Sequence, residues 1–182
     1  IGIPFYEWGS IMKLHGIHVP HRKNTASLPP VRPEPPKTVT IPMSMHIGRP
    51  AKPVVKRGDE VKVGTLIAEA GGVVSVPMHA SVSGKVVKIA DYLTSAGSTV
   101  PAIVIESDGE MTPDESLTPP VVDSKDSLTQ AIKNAGVVGL GGAGFPTHVK
   151  LSADPEKIEF VVINGAECEP YLNCDYQLML ER

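Results

Sequence analysis

The sequence predicts a mixed α/β protein, in which a small folded-over β barrel precedes the start of an α/β domain. Two observations support this prediction. Between residues 38 and 106, short β-branched segments are separated by glycines, a rhythm typical of small barrels rather than of open sheets. From residue 124 onward, segments with helical spacing surround one strongly apolar, β-branched segment, as expected at the start of an α/β unit.

Composition excludes several classes of function. A net charge of −3 over 182 residues offers no electrostatic basis for binding nucleic acid. The spacing of Cys168 and Cys174 matches no zinc or iron–sulfur motif, and so few cysteines indicate a reducing compartment. No apolar run approaches the roughly 18 residues of a membrane span, and no signal peptide is visible. Because the sequence lacks an initiator methionine and stops inside a helical pattern, we expect it to be a fragment.

Residues 1–37 predict an extended N-terminal arm. Prolines at positions 29, 30, 33, 35 and 36 favour extended or polyproline conformations. The polar cluster His21–Lys23 could contact a phosphate or a partner. The alternative, which is the ordinary one for a chain terminus, is a solvated arm wrapped around the body of the protein.

Residues 38–106 predict the barrel. Glycines at positions 58, 64, 72 and 84 separate its strands, and a lone histidine, His79, falls in a turn-like context where polar surface is more common than a metal ligand. The predicted strands are 38–42, 53–55, 61–63, 66–68, 73–77, 80–84, 85–89 and 100–105.

Residues 107–123 predict an acidic, proline-rich linker, and residues 124–182 predict the beginning of a second domain. The first element of that domain is a helix over 124–136, with Ser124 or Asp126 as its N-cap and Gly136 at the C′ position. A short helix over 148–152, a strand over 157–163 and a helix from residue 171 follow.

The glycine loop, residues 138–147, is the first candidate site. Four glycines in six residues leave the backbone open to close approach by a flat or anionic ligand. Phe145 adds an aromatic face and Lys150 a cation. The match to G-x-G-x-x-G is weak by itself, because the loop follows a helix and Pro146 interrupts the expected helix start. A purely structural role, in which the glycines allow tight packing, is the alternative.

The acidic loop, residues 164–170, is the second candidate site. Asn164, Glu167 and Glu169 supply one amide and two carboxylates directly after the predicted strand over 157–163. Ligands of α/β sheets bind at the carboxyl ends of strands. An open backbone, an aromatic ring, a cation and two acids together favour a nucleotide cofactor.

Two barrel segments carry a first resemblance. Residues 58–64 and 77–86 resemble the two halves of a barrel-sandwich hybrid, the fold of biotinyl and lipoyl carrier domains. Those carriers display a modifiable lysine on the hairpin between the halves. The matching segment here, residues 69–74, contains no lysine. The resemblance therefore implies a docking or spacing domain rather than a swinging arm.

Both candidate loops carry a second resemblance. Residues 141–147 with Lys150 resemble the flavin loop of the NADH-binding subunit of respiratory complex I, and residues 164–170 are similar to its second loop. Leu140 and Ala166 stand where that family has an arginine and an aspartate. Over its whole length the sequence is still more similar to the RnfC subunits of Rnf electron transport complexes.

The resemblance to these subunits implies FMN and NAD(H) as cofactors, 4Fe–4S clusters only in a C-terminal part beyond these residues, and no catalytic or metal-binding side chain within them. The implied FMN contacts are Gly141, Gly142, Lys150, Asn164 and Glu167. The implied contacts to the nicotinamide nucleotide are Gly142, Ala143, Phe145 and Glu169.

The function implied is that of a peripheral subunit on the cytoplasmic side of the cell membrane. Its complex would couple electron transfer between ferredoxin and NAD to translocation of Na⁺ or H⁺. Other subunits of the complex would be its direct partners and ferredoxin an indirect one, and the fragment alone would be inactive. The alternative is a non-catalytic docking module of a multisubunit complex, with a purely structural glycine loop.

Overall fold

The computed structural model describes residues 17–140 and 142–181. These fall into two compact units, one of residues 31–161 and one of residues 17–30 with 162–181. The mixed content confirms the predicted fold class. No helix in the described ranges has the length and apolarity that crossing a bilayer requires. The strands are β1 (Thr38–Pro42), β2 (Lys52–Pro53), β3 (Glu60–Val61), β4 (Leu66–Glu69), β5 (Met78–His79), β6 (Gly84–Leu93) and β7 (Thr99–Ser107). The helices are α1 (Lys125–Asn134), α2 (Thr147–Lys150), a 3₁₀ turn (Pro155–Lys157) and α3 (Cys174–Glu181).

The larger sheet of the barrel is antiparallel, with strand order β1-β7-β6-β3. Its centre is the long β6–β7 hairpin, whose register pairs Gly84 with Ser107 and Leu93 with Thr99. A register shift between Val86 and Lys88 interrupts this ladder. Such bulges increase the local twist of a strand, which helps a sheet to curl over its own face.

A second sheet, in the order β2-β4-β5, covers the core from the other strands. The side chains of Met43, Ile67, Val86, Ile103 and Ile105 are completely buried in one cluster. They come from both sheets and from the loop after β1. The core therefore joins the two sheets into one small domain.

The segment over 73–77 is not the strand that its composition predicts. Its backbone groups are bonded elsewhere, because Val76 N donates to His46 Nε2 at 3.4 Å and Val74 O accepts from Arg49 N at 3.0 Å. With these groups engaged by a side chain and a neighbouring loop, the segment lacks the free donors and acceptors that a ladder needs.

Helix α1 confirms the predicted helix over 124–136. The Ser124 side chain accepts a hydrogen bond from Ser127 N, and Ser127 reciprocates at the N-cap backbone, which forms a capping box. Gly136 follows the C-cap with φ +70°, the left-handed conformation that ends many helices.

The predicted strand over 157–163 is wrong. Lys157 belongs to the 3₁₀ turn, and the side chains of Phe160 and Ile163 are 82% and 80% exposed. Within the described residues, no strand pairs with this segment. The prediction relied on β-branched composition, and a β propensity has no effect without a neighbouring strand to pair with.

The smaller unit joins part of the N-terminal arm to α3. Thr25 Oγ1 donates to Asn173 Oδ1 at 2.7 Å, and Asn173 is buried directly before the helix. Gln177 Nε2 donates to the carbonyls of Ala26 and Leu28, both at 3.1 Å. The helix predicted from residue 171 thus begins at residue 174 and carries the arm on one side.

The first part of the predicted linker is bound to the barrel. Ser83 Oγ donates to Asp108 Oδ1 at 2.6 Å, and Thr65 Oγ1 donates to Asp114 Oδ2 at 2.7 Å. The hydrogen bond from Ser83 lowers the pKa of the Asp108 carboxyl. Hydrogen bonds from Ser116 and Thr65 lower the pKa of Asp114 to about 2.

Candidate functional site

The glycine loop is a closed hairpin at the start of α2. Gly139 N donates to Phe145 O at 2.9 Å, and Thr147 N donates to Val137 O at 3.0 Å. Pro146 is the N-cap of α2, which is only four residues long. The loop therefore differs from the dinucleotide-binding turn, in which the glycines connect a strand to a long helix.

The loop packs against the barrel within the larger unit. Ile47 N donates to Ala143 O at 3.2 Å and to Gly144 O at 3.3 Å. Gly144 has φ +64°, and a Cβ at this position would lie 2.8 Å from Met45 O. Both the backbone conformation and the close approach require glycine here.

A histidine fastens the barrel hairpin to α2. His148 is buried, and its Nε2 lies 3.3 Å from Val73 O, whereas its Nδ1 has no partner in the described part of the chain. Val73 belongs to residues 69–74, the position of the modifiable lysine in carrier domains. This contact supports a fixed hairpin rather than a mobile one.

Phe145 and Lys150 lie together at the base of the loop. The Lys150 Nζ is 5.9 Å from the centroid of the Phe145 ring, at the outer limit of a cation–π contact. A Cβ on Gly139 would lie 2.9 Å from the same Nζ. Lys150 is exposed and Phe145 is half-buried, so the cation remains available to an anionic group.

The tip of the loop is open. Gly142 and Ala143 are exposed, and a Cβ on Gly142 would meet no atom within 4 Å. Gly141, which the sequence also predicts as a contact, lies outside the described residues. The tip therefore has room for a ligand against bare backbone.

A cavity of about 690 Å³ lies on the barrel-facing side of the loop. Its walls are the loop glycines at positions 139, 142 and 144 and the barrel residues at 45–46 and 76–79. This volume is in the range of small-molecule sites. Because glycine backbone forms one wall, the cavity fits a flat ring such as that of a nucleotide.

The two histidines of the barrel wall differ in their hydrogen bonds. His46 is buried; its Nδ1 lies 3.1 Å from Ile47 O and its Nε2 accepts from Val76 N. The His79 ring forms no hydrogen bond with any described residue, and its burial lowers its pKa. Sequence reasoning treated His79 as polar surface, and no sequence signal connects it to a loop so far along the chain.

The acidic loop lies in the smaller unit. Asn164 Oδ1 accepts from Ala166 N at 3.0 Å, which forms a local turn. Glu167 Oε1 accepts from Tyr176 N at 3.1 Å, so this carboxylate caps the first turn of α3. Glu169 is exposed. Of the two predicted acids, only Glu169 is therefore directed to solvent.

Lys23 of the arm lines a cavity of about 540 Å³ together with Glu167, Cys168 and Glu169. The sequence indicated the cluster that contains this lysine as one alternative for a phosphate or partner contact. The structure brings it to the acidic loop because the arm is hydrogen-bonded to α3. A cation beside two acids can balance their charge or receive an anionic group.

Two family models match the chain. The model described as the RnfC barrel sandwich hybrid domain matches residues 13–110. The model described as the Nuo51 FMN-binding domain matches residues 132–182, which include both candidate loops.

Several known proteins are similar to the chain, and each is the RnfC-type subunit of its complex. The one from the Na⁺-translocating ferredoxin:NAD⁺ oxidoreductase complex of Acetobacterium woodii is 51% identical over 169 residues, which is 90% of this chain and 38% of that protein. The one from the proton-translocating ferredoxin:NAD⁺ oxidoreductase complex of Clostridium ljungdahlii is 45% identical, over 91% of this chain and 37% of that protein. The one from an ion-translocating oxidoreductase complex of Pseudomonas aeruginosa is 43% identical, over 92% of this chain and 22% of that protein. The chain thus spans little more than a third of these relatives, or less.

Proposed function

Because the chain belongs to the RnfC family, we propose that it is part of the FMN- and NAD(H)-handling subunit of an ion-translocating ferredoxin:NAD⁺ oxidoreductase. The complex couples electron transfer between ferredoxin and NAD to the movement of Na⁺ or H⁺. The names of the relatives from Acetobacterium woodii and Clostridium ljungdahlii describe these two ions for their own complexes.

The glycine loop carries this proposal. It is closed by the Gly139–Phe145 hydrogen bond, bare at Gly142, and flanked by the exposed cation of Lys150. Backbone without side chains allows a ring and a phosphate to come close, and a nearby ammonium group neutralises phosphate charge. The match of residues 132–182 to an FMN-binding family supports the same assignment.

Eight residues are assigned to the two ligands by resemblance. Lys150 offsets the phosphate charge of FMN, Phe145 presents a ring face to the nicotinamide nucleotide, and Glu169 is exposed for ribose hydroxyls. The FMN contacts are Gly141, Gly142, Lys150, Asn164 and Glu167, and those to the nicotinamide nucleotide are Gly142, Ala143, Phe145 and Glu169.

FMN supplies the conversion between a hydride, which carries two electrons, and the single electrons that iron–sulfur centres accept. The chain's own residues bind and orient. Lys150 holds charge, the closed loop holds its backbone in a fixed position, and the packing of Gly144 on the barrel limits solvent beneath the loop. No side chain of this chain needs to transfer a proton.

The subunit is peripheral and binds other subunits on the cytoplasmic side of the membrane. Ferredoxin delivers or receives electrons through those subunits rather than at the glycine loop. The 4Fe–4S clusters belong to parts of the longer subunit other than these residues. This chain alone, with two cysteines, is inactive in electron transfer.

The test uses the complete subunit that carries this sequence. We expect flavin absorbance that bleaches on addition of NADH. In Lys150→Ala, the dissociation constant of FMN rises about tenfold or more, because one charge-assisted contact contributes roughly 1.5–3 kcal/mol. Binding is measured by quenching of flavin fluorescence.

Lys157→Ala is the matched control, because Lys157 is an exposed lysine whose Nζ lies 3.6 Å from Asp154 rather than at the loop. It leaves FMN binding unchanged. A complete, folded wild-type subunit that takes up no flavin and gives no response to NADH would show that the proposed function is wrong.

A further inference from the structure

The cavity on the barrel-facing side of the glycine loop goes beyond the residue roles assigned so far. Neither Phe145 nor Lys150 lines it. Its barrel wall comes from the loop after β1 and from residues 76–79 at the start of β5, which belong to a domain that no ligand assignment includes. That wall is largely apolar, with Met45, Pro77 and Met78 among its members.

The barrel wall is held in place by direct contacts with the second domain. Ile47 N donates to Gly144 O, and His148 Nε2 bonds to Val73 O. A Cβ on Gly136 would lie 2.6 Å from Pro77 O, so helix α1 ends directly against the wall. A wall that is already ordered binds a ligand without the entropic cost of ordering it.

His79 gives this apolar wall a free hydrogen-bonding group. Its half-buried ring has no hydrogen-bond partner among the described residues, whereas both nitrogens of His46 are engaged. A neutral imidazole has one N–H donor and one acceptor nitrogen. The edge of a ring that bears an amide group, a carbonyl beside an N–H, is complementary to that pair. Both the flavin ring and the nicotinamide carboxamide have such an edge.

We propose that the barrel-sandwich domain forms one wall of the nucleotide site, with His79 hydrogen-bonded to the amide-bearing edge of a flat heteroaromatic ring. The ring is that of FMN or of NAD(H), and the opposite wall is the glycine backbone of the loop. This inference rests on the proposed function, since it assumes that the loop serves these ligands. The barrel domain is then a fixed part of the ligand site rather than a spacer.

The experiment measures the dissociation constants of FMN and of NADH, separately, for the complete subunit and its variants. His79→Ala weakens binding of one of the two ligands about tenfold, which identifies the ring that occupies the cavity. His79→Gln keeps one donor and one acceptor and restores most of the affinity. His18→Ala, which removes an exposed histidine that does not line the cavity, leaves both constants unchanged.

Ser81→Phe provides a second test if His79→Ala does not fold. Ser81 is an exposed residue that lines the cavity from the barrel side, and a phenyl group there reduces the space available to a ring. We expect the same ligand to bind more weakly. If folded His79→Ala and Ser81→Phe both bind FMN and NADH within twofold of the wild type, the inference is wrong and the proposed function stands. If the wild type binds neither ligand, both are wrong.

Discussion

Gly144 and Gly142 lie two residues apart in one loop, but their surroundings differ. Gly144 has φ +64° and lies against Met45 O, whereas a Cβ on Gly142 would meet only open space. The first glycine is therefore needed for folding. The second is free to serve a ligand, because its lack of a side chain satisfies no contact within the described part of the protein.

Gly144→Ala tests this difference. We expect it to lower the free energy of unfolding by about 1–3 kcal/mol, because a left-handed backbone is strained in alanine and the new methyl group displaces the Met45 carbonyl. The measurement is denaturant unfolding followed by circular dichroism. Gly142→Ala is the matched control and leaves stability within about 0.5 kcal/mol. Equal losses in the two variants would contradict the assignment of Gly144 to packing.

The segment after β7 shows how an element that looks like a tether can be part of a domain. Composition predicts a solvated linker from residue 107, yet Asp108 and Asp114 accept hydrogen bonds from Ser83 and Thr65 of the barrel. Val63 also exchanges backbone hydrogen bonds with this segment. Because the bonds to carboxylates need the ionised form, attachment of the segment depends on pH.

Asp114→Asn tests the pH dependence. Hydrogen bonds from Ser116 and Thr65 lower the Asp114 pKa from 3.8 to about 2, so the folded state releases this proton more readily than the unfolded state. The resulting stability is complete above about pH 4 and is lost as the pH falls towards 2. We expect the melting temperature of the wild type to fall more between pH 5.5 and pH 3 than that of the variant.

Glu115→Gln is the control for this change, since Glu115 is the neighbouring acid and is exposed. It should leave the pH dependence of the melting temperature as in the wild type. If Asp114→Asn and the wild type lose the same number of degrees between the two pH values, the carboxylate of Asp114 does not attach the segment.

The whole molecule is divided differently from the order of its sequence. The larger unit, residues 31–161, contains the barrel, α1, the glycine loop and α2. The smaller unit combines residues 17–30 with 162–181, so that Thr25 contacts Asn173 across most of the chain. The glycine loop and the acidic loop belong to different units, and their joint action on one cofactor is part of the proposed function.

A polypeptide of residues 31–161 should fold independently. We expect it to unfold cooperatively, at a higher temperature than a polypeptide of residues 38–106, the predicted barrel alone. The shorter polypeptide lacks Asp108, Asp114 and His148, which all bond to the barrel in the longer one. Scanning calorimetry of both compares them directly. A barrel as stable alone as in the longer polypeptide would show that these contacts add nothing.

The sequence by itself determined the features that depend on neighbouring residues. The Ser124 cap and Gly136 stop of α1, the β1 strand and the open glycine loop all follow from local backbone preferences, which are the same wherever the segment lies. The chemistry of the loop also follows from residue types, with Phe145 and Lys150 close enough in sequence to meet.

Only the tertiary structure decided which segments find partners. The residues over 157–163 have strong β propensity and remain exposed, because a strand depends on pairing with residues elsewhere in the chain. His46 and His79 look alike in the sequence, but one has both nitrogens bonded and the other faces a cavity. Lys23 reaches the acidic loop through the hydrogen bonds of the arm with α3. Burial and pairing are set by residues far apart along the chain, and local propensity contains no information about them.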